Sequence, residues 1–278
     1  MQVVKTIEEL KKLVNEYRCE GLVGLVPTMG ALHNGHKKLV EQCKKENDFV
    51  VASVFVNPTQ FNDKKDLVSY PRSFDEDCVL LKEAGCDAVF APSVEEIYPE
   101  SDDRIFDFGE LATVMEGANR PGHFNGVAQI VSKLFMFVEP DIAYFGEKDF
   151  QQLTIIRRMV ELLNLNIEIV GVPIVREADG LALSSRNALL SEEQRAVAPN
   201  IFKIIQKYAD KNRGLSVEET IKSVVKEINL SSLMEVEYFV LADSTSLKLI
   251  SSWEDSAEPR GFVTVKLGNV RIIDNLKF

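Results

Sequence analysis

The sequence contains few histidines, few cysteines and no long apolar run, and each shortage excludes a class of protein. Among the 278 residues there are three histidines and four cysteines. The cysteines show neither C-x-x-C nor the Cys/His spacing of a zinc site, so we expect reduced, structural thiols. No apolar run approaches the roughly 20 residues that span a bilayer, and the N-terminus lacks an apolar signal region. We therefore expect a soluble, cytoplasmic protein.

Excess positive charge and the two commonest nucleotide-binding motifs are also missing. The net charge of -11 argues against a nucleic-acid partner, because binding a phosphate backbone requires a basic face. Neither G-x-x-x-x-G-K-[ST] nor G-x-G-x-x-G occurs, which excludes a P-loop kinase and a usual dinucleotide-binding protein. An anionic substrate must therefore meet a local positive pocket within an acidic surface.

Short apolar runs alternate with helical patterns in the first part of the chain. Helices are expected over about 7–18, 35–46, 74–84, 125–138 and 150–163, and Thr6 with Glu9 forms a capping box before the first. Strands are expected at 22–26, 49–56, 88–91, 142–145 and 167–172. This alternation predicts an α/β fold with a doubly wound, Rossmann-like parallel sheet, whose ligand site lies outside the carboxyl ends of the strands.

The pattern changes after residue 175. Helices are expected from Ser191 to about residue 211 and from Ser216 to about residue 228. Strands are expected at 236–241, 262–266 and 270–273. The sequence therefore predicts a Rossmann-like domain over residues 1–175, which binds a nucleotide and a small substrate, and a smaller α+β C-terminal domain over 176–278.

All three histidines lie in two short motifs. His33 and His36 belong to PTMGALHNGH, which follows the predicted strand at 22–26, and His123 belongs to RPGHF. The N–H groups and dipole of a helix N-terminus favour phosphate, and an imidazole can donate to a phosphate oxygen as charge develops. The motif therefore indicates chemistry on a nucleotide. Two surface histidines at a helix cap, or a metal pair without an obvious third ligand, are the alternatives.

Two further polar segments follow predicted strands. In VNPTQF, Gln60 is placed to bind a hydroxyl or carboxylate, although Asn and Gln beside Pro also suit a plain turn. In FGEKDFQQ, Gly146 permits close backbone approach and Lys148 supplies a charge for a phosphate. Asp149 suits a helix cap or a ribose contact. Gln152 lies one turn into the helix and is expected to face the same crevice.

Other candidate residues lie in LSSRN and in the predicted helix at 74–84. Ser184, Ser185 and Arg186 would suit a triphosphate, or they belong to an ordinary loop before a helix. Asp75 and Asp77 resemble a solvated first helical turn. Contact of these two residues with a hydrated Mg²⁺ is the less favoured alternative.

Six motifs in register resemble the pantothenate synthetase (pantoate–β-alanine ligase) family. In chain order they are PTMGALHNGH, VNPTQF, YPR, EGANRPGHFNGV, FGEKDFQQL and LSSRN, and they run from about residue 22 to residue 190. The H-x-G-H motif alone reaches only the wider nucleotidyltransferase superfamily, which includes class I aminoacyl-tRNA synthetases. Leu183 stands where the family commonly has Met, an apolar replacement of similar volume that we treat as neutral.

The resemblance implies a two-step ligation that consumes ATP. The carboxylate of (R)-pantoate attacks the α-phosphorus of ATP, giving pantoyl adenylate and pyrophosphate. The amine of β-alanine then attacks the acyl carbon and expels AMP, leaving pantothenate. Phosphoryl transfer of this kind needs positioning and charge stabilisation more than covalent help. Family members are commonly homodimers, and we expect no nucleic-acid or membrane partner.

The resemblance also implies roles for individual residues. The expected catalytic residues are His33, His36, Lys148 and Arg186, with the acid role usually assigned to His36. Gln60, Gln152 and Met29 are expected to bind pantoate, and Gln60 also β-alanine. No resident metal ligand is expected, because Mg²⁺ accompanies ATP. The expected ATP-binding residues are Met29, Gly30, Ala31, Leu32, His33, Asn34, Gly35, His36, Gly146, Glu147, Lys148, Asp149, Val175, Leu183, Ser184, Ser185 and Arg186.

Two other functions compete with this interpretation. One is another H-x-G-H nucleotidyltransferase, acting on a small acid or a phosphate. The NPTQF segment and the paired glutamines favour a carboxylate acceptor instead. The other is a regulatory nucleotide-binding module without turnover, which has no need for Lys148 and the Ser184–Arg186 cluster alongside both histidines.

Overall fold

A parallel sheet forms the centre of the first of two units in this chain. The computed structural model describes residues 1–19, 21–62, 64–209 and 214–278. The first unit comprises Met1–Glu147 and Gln151–Pro173, and the second comprises Lys148–Phe150 and Ile174–Phe278. Among the described residues, none of the helices combines the length and apolar character needed to span a bilayer.

The sheet of the first unit has six strands in the order β1-β4-β3-β2-β5-β6. Every pairing between neighbours is parallel. The strands are β1 Gln2–Val4, β2 Val23–Thr28, β3 Phe49–Val54, β4 Ala88–Phe90, β5 Ile142–Gly146 and β6 Glu168–Val172. The edge strand β1 was missing from the sequence prediction, because three residues are too few to show a pattern.

In the described part of this unit, α-helices pack around the sheet or connect its strands. They are α1 Ile7–Arg18, α2 Asn34–Glu46, α3 Lys64–Ser69, α4 Phe74–Glu83, α5 Val94–Ile97, α6 Glu116–Asn119, α7 His123–Val138 and α8 Phe150–Leu162. The Thr6–Glu9 capping box before α1 is confirmed. The short helices α3, α5 and α6 were not predicted.

Consecutive residues of the central strands pack into different cores. Leu25 and Val51 belong to a core with α1, α7 and α8, whereas Val26 and Val50 belong to a core with α2 and α4. Successive strand side chains point to opposite faces, so a strand covered on both faces must be apolar throughout. The continuous apolar runs in the sequence follow from this burial.

The second unit is smaller and has an antiparallel sheet. Its helices are α9 Glu192–Val197, α10 Asn200–Ala209 and α11 Val217–Ile228, and its strands are β7 Glu235–Asp243, β8 Pro259–Leu267 and β9 Val270–Lys277. The strand order is β7-β8-β9. Ile201, Val224 and Val263 belong to its apolar core. The predicted fold class, a doubly wound parallel sheet with a smaller α+β part, is confirmed.

The single helix predicted from Ser191 to about residue 211 was wrong. The structure has two helices there, α9 and α10, which are separated at Ala198 and Pro199. Proline has no backbone N–H and its ring collides with the carbonyl four residues earlier, so it ends a helix. The predicted last residues, 210 and 211, lie outside the described residues.

We predict that Asp243 makes the stability of the protein depend on pH. Its carboxylate accepts from Ser256 Oγ at 2.6 Å and from the Ser246 N–H at 2.7 Å, and these bonds lower its pKa from 3.8 to about 2. A depressed folded-state pKa stabilises the fold above the unfolded-state value, and this stabilisation disappears as the pH falls through the folded-state value. Asp243→Asn should therefore lower the melting temperature more at about pH 7 than at about pH 3. Thermal melts at both pH values test this, and an equal difference would contradict it.

Candidate active site

The polar motifs of the first unit follow the carboxyl ends of neighbouring parallel strands. β2 ends at Thr28, immediately before the segment that contains His33 and His36. β3 ends at Val54, shortly before Gln60, and β5 ends at Gly146. Because the carboxyl ends of parallel strands lie at one edge of a sheet, the segments after β2, β3 and β5 share that edge.

The two histidines of the H-x-G-H motif bond to the backbone at the start of α2. His33 is the N-cap residue of α2, and its Nδ1 accepts from the Gly35 N–H at 3.1 Å. Nδ1 of His36 accepts from the His33 N–H at 3.3 Å. The two ring centroids are 4.2 Å apart, with a tilt of 40° between the rings. Both imidazoles therefore lie together at this helix N-terminus.

These bonds define which nitrogen of each ring carries the proton. A neutral imidazole has one N–H, and a nitrogen that accepts a hydrogen bond has none. Nδ1 accepts in both His33 and His36, so the proton of each neutral ring lies on Nε2. Each ring then presents one N–H donor, the form that a phosphate oxygen requires.

A buried carboxylate holds the turn that precedes these histidines. Asp77 is 2% exposed, and it accepts from the Ala31 N–H at 3.0 Å and from the Leu32 N–H at 2.7 Å. Asp77 was therefore wrongly predicted to lie in a solvated helical turn, although Asp75 is exposed as expected. The turn carries backbone strain at Ala31, which has a φ of +51° and follows Gly30 at +81°.

Gln60 and Met29 contact each other after β3 and β2. Nε2 of Gln60 donates to Sδ of Met29 at 2.9 Å, and Gln60 is buried. Oε1 of Gln60 accepts from Nδ2 of Asn57 at 3.2 Å. The amide of Gln60 is thus oriented by contacts on both of its ends, which a plain turn residue would not need.

Three residues that support Gln60 were not assigned this role from the sequence. Tyr98 donates its hydroxyl to Oδ1 of Asn57 at 2.8 Å, and burial raises the pKa of Tyr98, which keeps it a donor. Nδ1 of His123 lies 2.8 Å from the Gln60 carbonyl oxygen, so this nitrogen carries a proton. The one sequence signal for His123 was that every histidine of the chain lies in a motif. No sequence signal marked Tyr98.

Helix α7 approaches the Gln60 segment closely at Gly126. A Cβ at Gly126 would lie 2.4 Å from the Thr59 carbonyl oxygen and 2.8 Å from Cα of Gln60. The Gly126 carbonyl accepts from Nδ2 of Asn57 at 3.1 Å. Only glycine fits here, so the HFNGV part of the motif is a packing requirement of the Gln60 segment.

The neighbouring glutamines of α8 differ in their surroundings. Gln151 is buried, donates to the carbonyls of Leu111 and Val114 at 2.9 and 2.8 Å, and accepts from the Glu116 N–H at 3.1 Å. Gln152 is half-buried, and its amide has no hydrogen-bond partner among the residues that the structure describes. Gln151 fixes the backbone at 111–116, whereas the amide of Gln152 remains available.

The segment Lys148–Phe150 belongs to the second unit, while Gly146 and Glu147 belong to the first. Asn275 Nδ2 donates to the Lys148 carbonyl at 3.0 Å, and the Arg260 guanidinium lies 4.0 Å from the Phe150 ring centroid. Lys148 Nζ lies 3.9 Å from the Asp149 carboxylate. The second unit therefore holds the backbone that carries the predicted phosphate-binding lysine.

The remaining predicted site residues lie together in the second unit. The Leu183 N–H donates to the Val175 carbonyl at 3.0 Å. Ser184 Oγ accepts from the Arg186 N–H at 3.3 Å, and a short 3-10 helix begins at Ser185. The second unit thus joins two segments that lie several residues apart in the sequence.

A parallel sheet with two histidines at the N-terminus of the helix after a central strand is the arrangement expected of an H-x-G-H nucleotidyltransferase. Comparison with known proteins then identifies the family within this class. The chain belongs to the pantoate-beta-alanine ligase family, whose model matches residues 2–277. It is therefore a ligase, and the resemblance drawn from the six motifs is confirmed.

Curated relatives and solved structures agree along the whole chain. The pantothenate synthetase of Porphyromonas gingivalis is 54% identical over 279 residues, covering 100% of this chain and 99% of the relative. A crystal structure of pantothenate synthetase from Thermus thermophilus has a TM-score of 0.93 and 46% identity, with 100% and 99% of the two chains covered. A pantoate-beta-alanine ligase from Francisella tularensis, complexed with beta-gamma ATP and beta-alanine, has a TM-score of 0.85 and 34% identity, with 100% and 97% covered.

We predict two kinds of histidine tautomer in this protein. At mildly alkaline pH, where imidazoles are neutral, His33 and His36 should carry their proton on Nε2, because Nδ1 accepts a backbone N–H in each. His123 should carry its proton on Nδ1, which faces the Gln60 carbonyl.

Nitrogen-15 spectra of histidine-labelled protein measure this, and single His→Gln variants assign the three rings. The three histidines serve as controls for one another. Three rings with the same tautomer would contradict the hydrogen bonding described above.

Proposed function

We propose that this protein condenses (R)-pantoate with β-alanine in two steps, consuming ATP. In the first step a pantoate carboxylate oxygen bonds to the α-phosphorus, the α–β phosphoanhydride bond breaks and pyrophosphate leaves. In the second step the β-alanine nitrogen bonds to the acyl carbon and the acyl–phosphate bond breaks. AMP leaves, the nitrogen loses a proton, and pantothenate is the amide product.

Family membership and the geometry at the start of α2 support this proposal. Pantothenate synthetases match along the full chain, and the Francisella tularensis structure is a complex with beta-gamma ATP and beta-alanine. The observation that carries it within this chain is the pair of imidazoles whose Nδ1 atoms bond to the backbone. That pair provides two Nε2–H donors beside a helix N-terminus, where a phosphate is favoured.

His33 and His36 are proposed to stabilise the charge that develops as the α–β phosphoanhydride bond breaks. Their fixed Nε2–H groups need no reorientation when negative charge builds on phosphate oxygens, which is the condition for electrostatic catalysis. Of the two, His36 takes the acid role. The rest of the 29–36 segment, together with Gly146 and Glu147, contributes ATP contacts in this proposal.

Residues of the second unit are proposed to contact ATP as well. Lys148 and Arg186 supply the positive charge that an acidic protein needs around a triphosphate. Ser184 and Ser185 add hydroxyl donors. The proposed contacts to the nucleoside come from Asp149, Val175 and Leu183.

Gln60, Gln152 and Met29 are proposed to bind pantoate. An amide both donates and accepts, which suits a substrate that carries hydroxyls and a carboxylate. The contact of Gln60 with Met29 is consistent with a shared pocket. The amide of Gln152, which has no hydrogen-bond partner within the described part of the chain, is consistent with ligand binding. Gln60 is also proposed to meet β-alanine, since the second nucleophile must reach the same carboxyl carbon.

Mg²⁺ is proposed to enter as part of the MgATP substrate. Within the described residues, no group of three or more His, Cys, Asp or Glu side chains could hold a metal ion. Both carboxylate oxygens of Asp77 already accept backbone N–H groups, and Asp75 is exposed. Mg²⁺ commonly keeps several waters and binds substrate phosphates, so the reaction needs no dedicated cage.

Two further properties are proposed from the family alone. The protein is expected to act in the cytoplasm and to form a homodimer. Size-exclusion chromatography with light scattering measures the second property directly.

We predict that labelled pyrophosphate exchanges into ATP when pantoate and Mg²⁺ are present and β-alanine is absent. Reversible adenylation of pantoate requires this result, because the first step is complete before the amine binds. Adding β-alanine should yield pantothenate and AMP, identified by mass spectrometry. Exchange that requires β-alanine, or formation of ADP, would contradict the two-step reaction.

We predict that truncating the two neighbouring glutamines affects different properties, substrate binding for Gln152 and stability for Gln151. Gln152→Ala should raise the KM for pantoate about tenfold, because one hydrogen bond to substrate is lost, and should leave the KM for ATP within a few-fold. Gln151→Ala should lower the melting temperature, because three backbone groups lose their partner. Initial rates with each substrate varied, together with thermal melts, separate these effects. A selective loss of ATP binding in Gln152→Ala would mean that the pocket is assigned wrongly.

A further inference from the structure

The turn between β2 and α2 holds a backbone conformation that its sequence does not favour. Ala31 has a φ of +51° and follows Gly30 at +81°. Glycine adopts this region freely, whereas an alanine there is strained by its Cβ. Such strain persists only where surrounding contacts determine the conformation. Something outside the turn must therefore hold Ala31.

Asp77, in the first turn of α4, provides those contacts. Its Oδ2 accepts from the Ala31 N–H and its Oδ1 from the Leu32 N–H, at 3.0 and 2.7 Å. Ser73 Oγ also donates to Oδ1, at 3.1 Å. Hydrogen bonds to an ionised acceptor are stronger than neutral ones, and two oxygens on successive N–H groups fix a direction as well as a distance.

The space around Asp77 leaves little freedom for another arrangement. A Cβ built on Gly30 would lie 3.0 Å from Asp77 Oδ2 and 3.2 Å from a methyl carbon of Val54. The turn therefore packs directly on the carboxylate and on the end of β3. Leu32 is followed at once by His33, the N-cap of α2, so the direction of the chain at Leu32 sets where both imidazoles begin.

We propose that Asp77 is a positioning residue for the adenylation step. It holds the strained turn so that the Nε2–H groups of His33 and His36 face the phosphates of ATP. This inference rests on the proposed function, but the contact itself is tested below without activity. Asp77 acts through the backbone of Ala31 and Leu32 and touches neither substrate.

The first test replaces one carboxylate oxygen by an amide NH₂. Asp77→Asn keeps the shape of the side chain, but one of the two backbone N–H groups then faces a donor. The rate of pantoate-dependent pyrophosphate exchange should fall by up to about 10²-fold, the effect of displacing catalytic groups by a fraction of an ångström to one ångström. The pantoate KM should change less than the exchange rate, because Gln152 lies on another helix and Gln60 contacts this turn only through Met29, ahead of the strained residue.

A second substitution distinguishes positioning from a general loss of stability. Ala31→Gly removes the Cβ that makes the left-handed turn costly, so the turn no longer depends on an external acceptor. In the Asp77→Asn background it should restore the exchange rate by about fivefold or more. Failure of Ala31→Gly to restore any activity in that background would overturn the proposal.

Asp141 provides a matched control in the same unit. Its Oδ2 accepts from the Val23 N–H at 2.8 Å, at the start of β2 instead of at its end. Asp141→Asn removes the same type of bond, so it should lower the melting temperature while leaving the exchange rate within about twofold. An equal loss of rate in Asp77→Asn and Asp141→Asn would mean that Asp77 is merely structural.

The nitrogen-15 signals of His33 and His36 test the contact without any reaction. They should shift in Asp77→Asn and stay unchanged in Asp141→Asn, whatever the enzyme catalyses. If the wild-type protein shows no pantoate-dependent exchange, the proposed function fails while this measurement still decides whether Asp77 positions the rings. Unshifted signals in Asp77→Asn would overturn the inference.

Magnesium dependence separates this role from direct metal binding. A positioning residue should leave the free Mg²⁺ concentration for half-maximal exchange unchanged in Asp77→Asn. A rise of that concentration by about tenfold, without recovery on adding Ala31→Gly, would assign Asp77 to the metal and overturn the proposal.

Discussion

The parallel pairing of β2 with both β3 and β5 is the constraint on which the candidate site depends. Leu25 pairs with Val51 on one side and with Ala143 on the other, and all three side chains are fully buried. A strand covered on both faces is mostly apolar along its length, so most polar residues follow its end. Because these strands run in one direction, the candidate site residues that follow them lie at one edge of the sheet. The apolar core and the polar site are thus two consequences of one arrangement.

Backbone N–H and C=O groups beyond the strand ends have no hydrogen-bond partner in the sheet, and side chains provide these partners instead. Asp77 accepts from two N–H groups of the turn after β2, His33 and His36 accept from two at the start of α2, and His123 donates to the carbonyl of Gln60. Each bond satisfies a group that would otherwise be exposed or unpaired, and it also restricts one loop to one conformation. The side chains that a mechanism needs are therefore oriented by the same bonds that complete the fold.

The sequence predicted what depends on local pattern and failed where distant contacts decide. The central strands and long helices were readable because burial on two faces leaves an apolar run, and His33, His36 and Gln60 stood out as polar residues just beyond such runs. Asp77 was misread, since an acidic residue in a first helical turn is usually solvated and only packing against a turn 46 positions away makes it an acceptor. The helix break at Pro199 was a failure of another kind, because the local signal was present and the strong amphipathic pattern on either side outweighed it.

The boundary between the two units divides the FGEKDF motif immediately before the predicted phosphate-binding lysine. Glu147 belongs to the first unit, but Lys148 to Phe150 belong to the second. The Phe150 ring lies 5.9 Å from that of Phe262 in β8, and Asn275 in β9 donates to the Lys148 carbonyl. The backbone position of Lys148 is therefore set by the antiparallel sheet of the second unit, although its sequence motif continues directly from β5 of the first. A substitution at Phe262 or Asn275 would remove one of these contacts without changing any residue of the motif, so the support of this lysine is encoded more than 100 positions away from it.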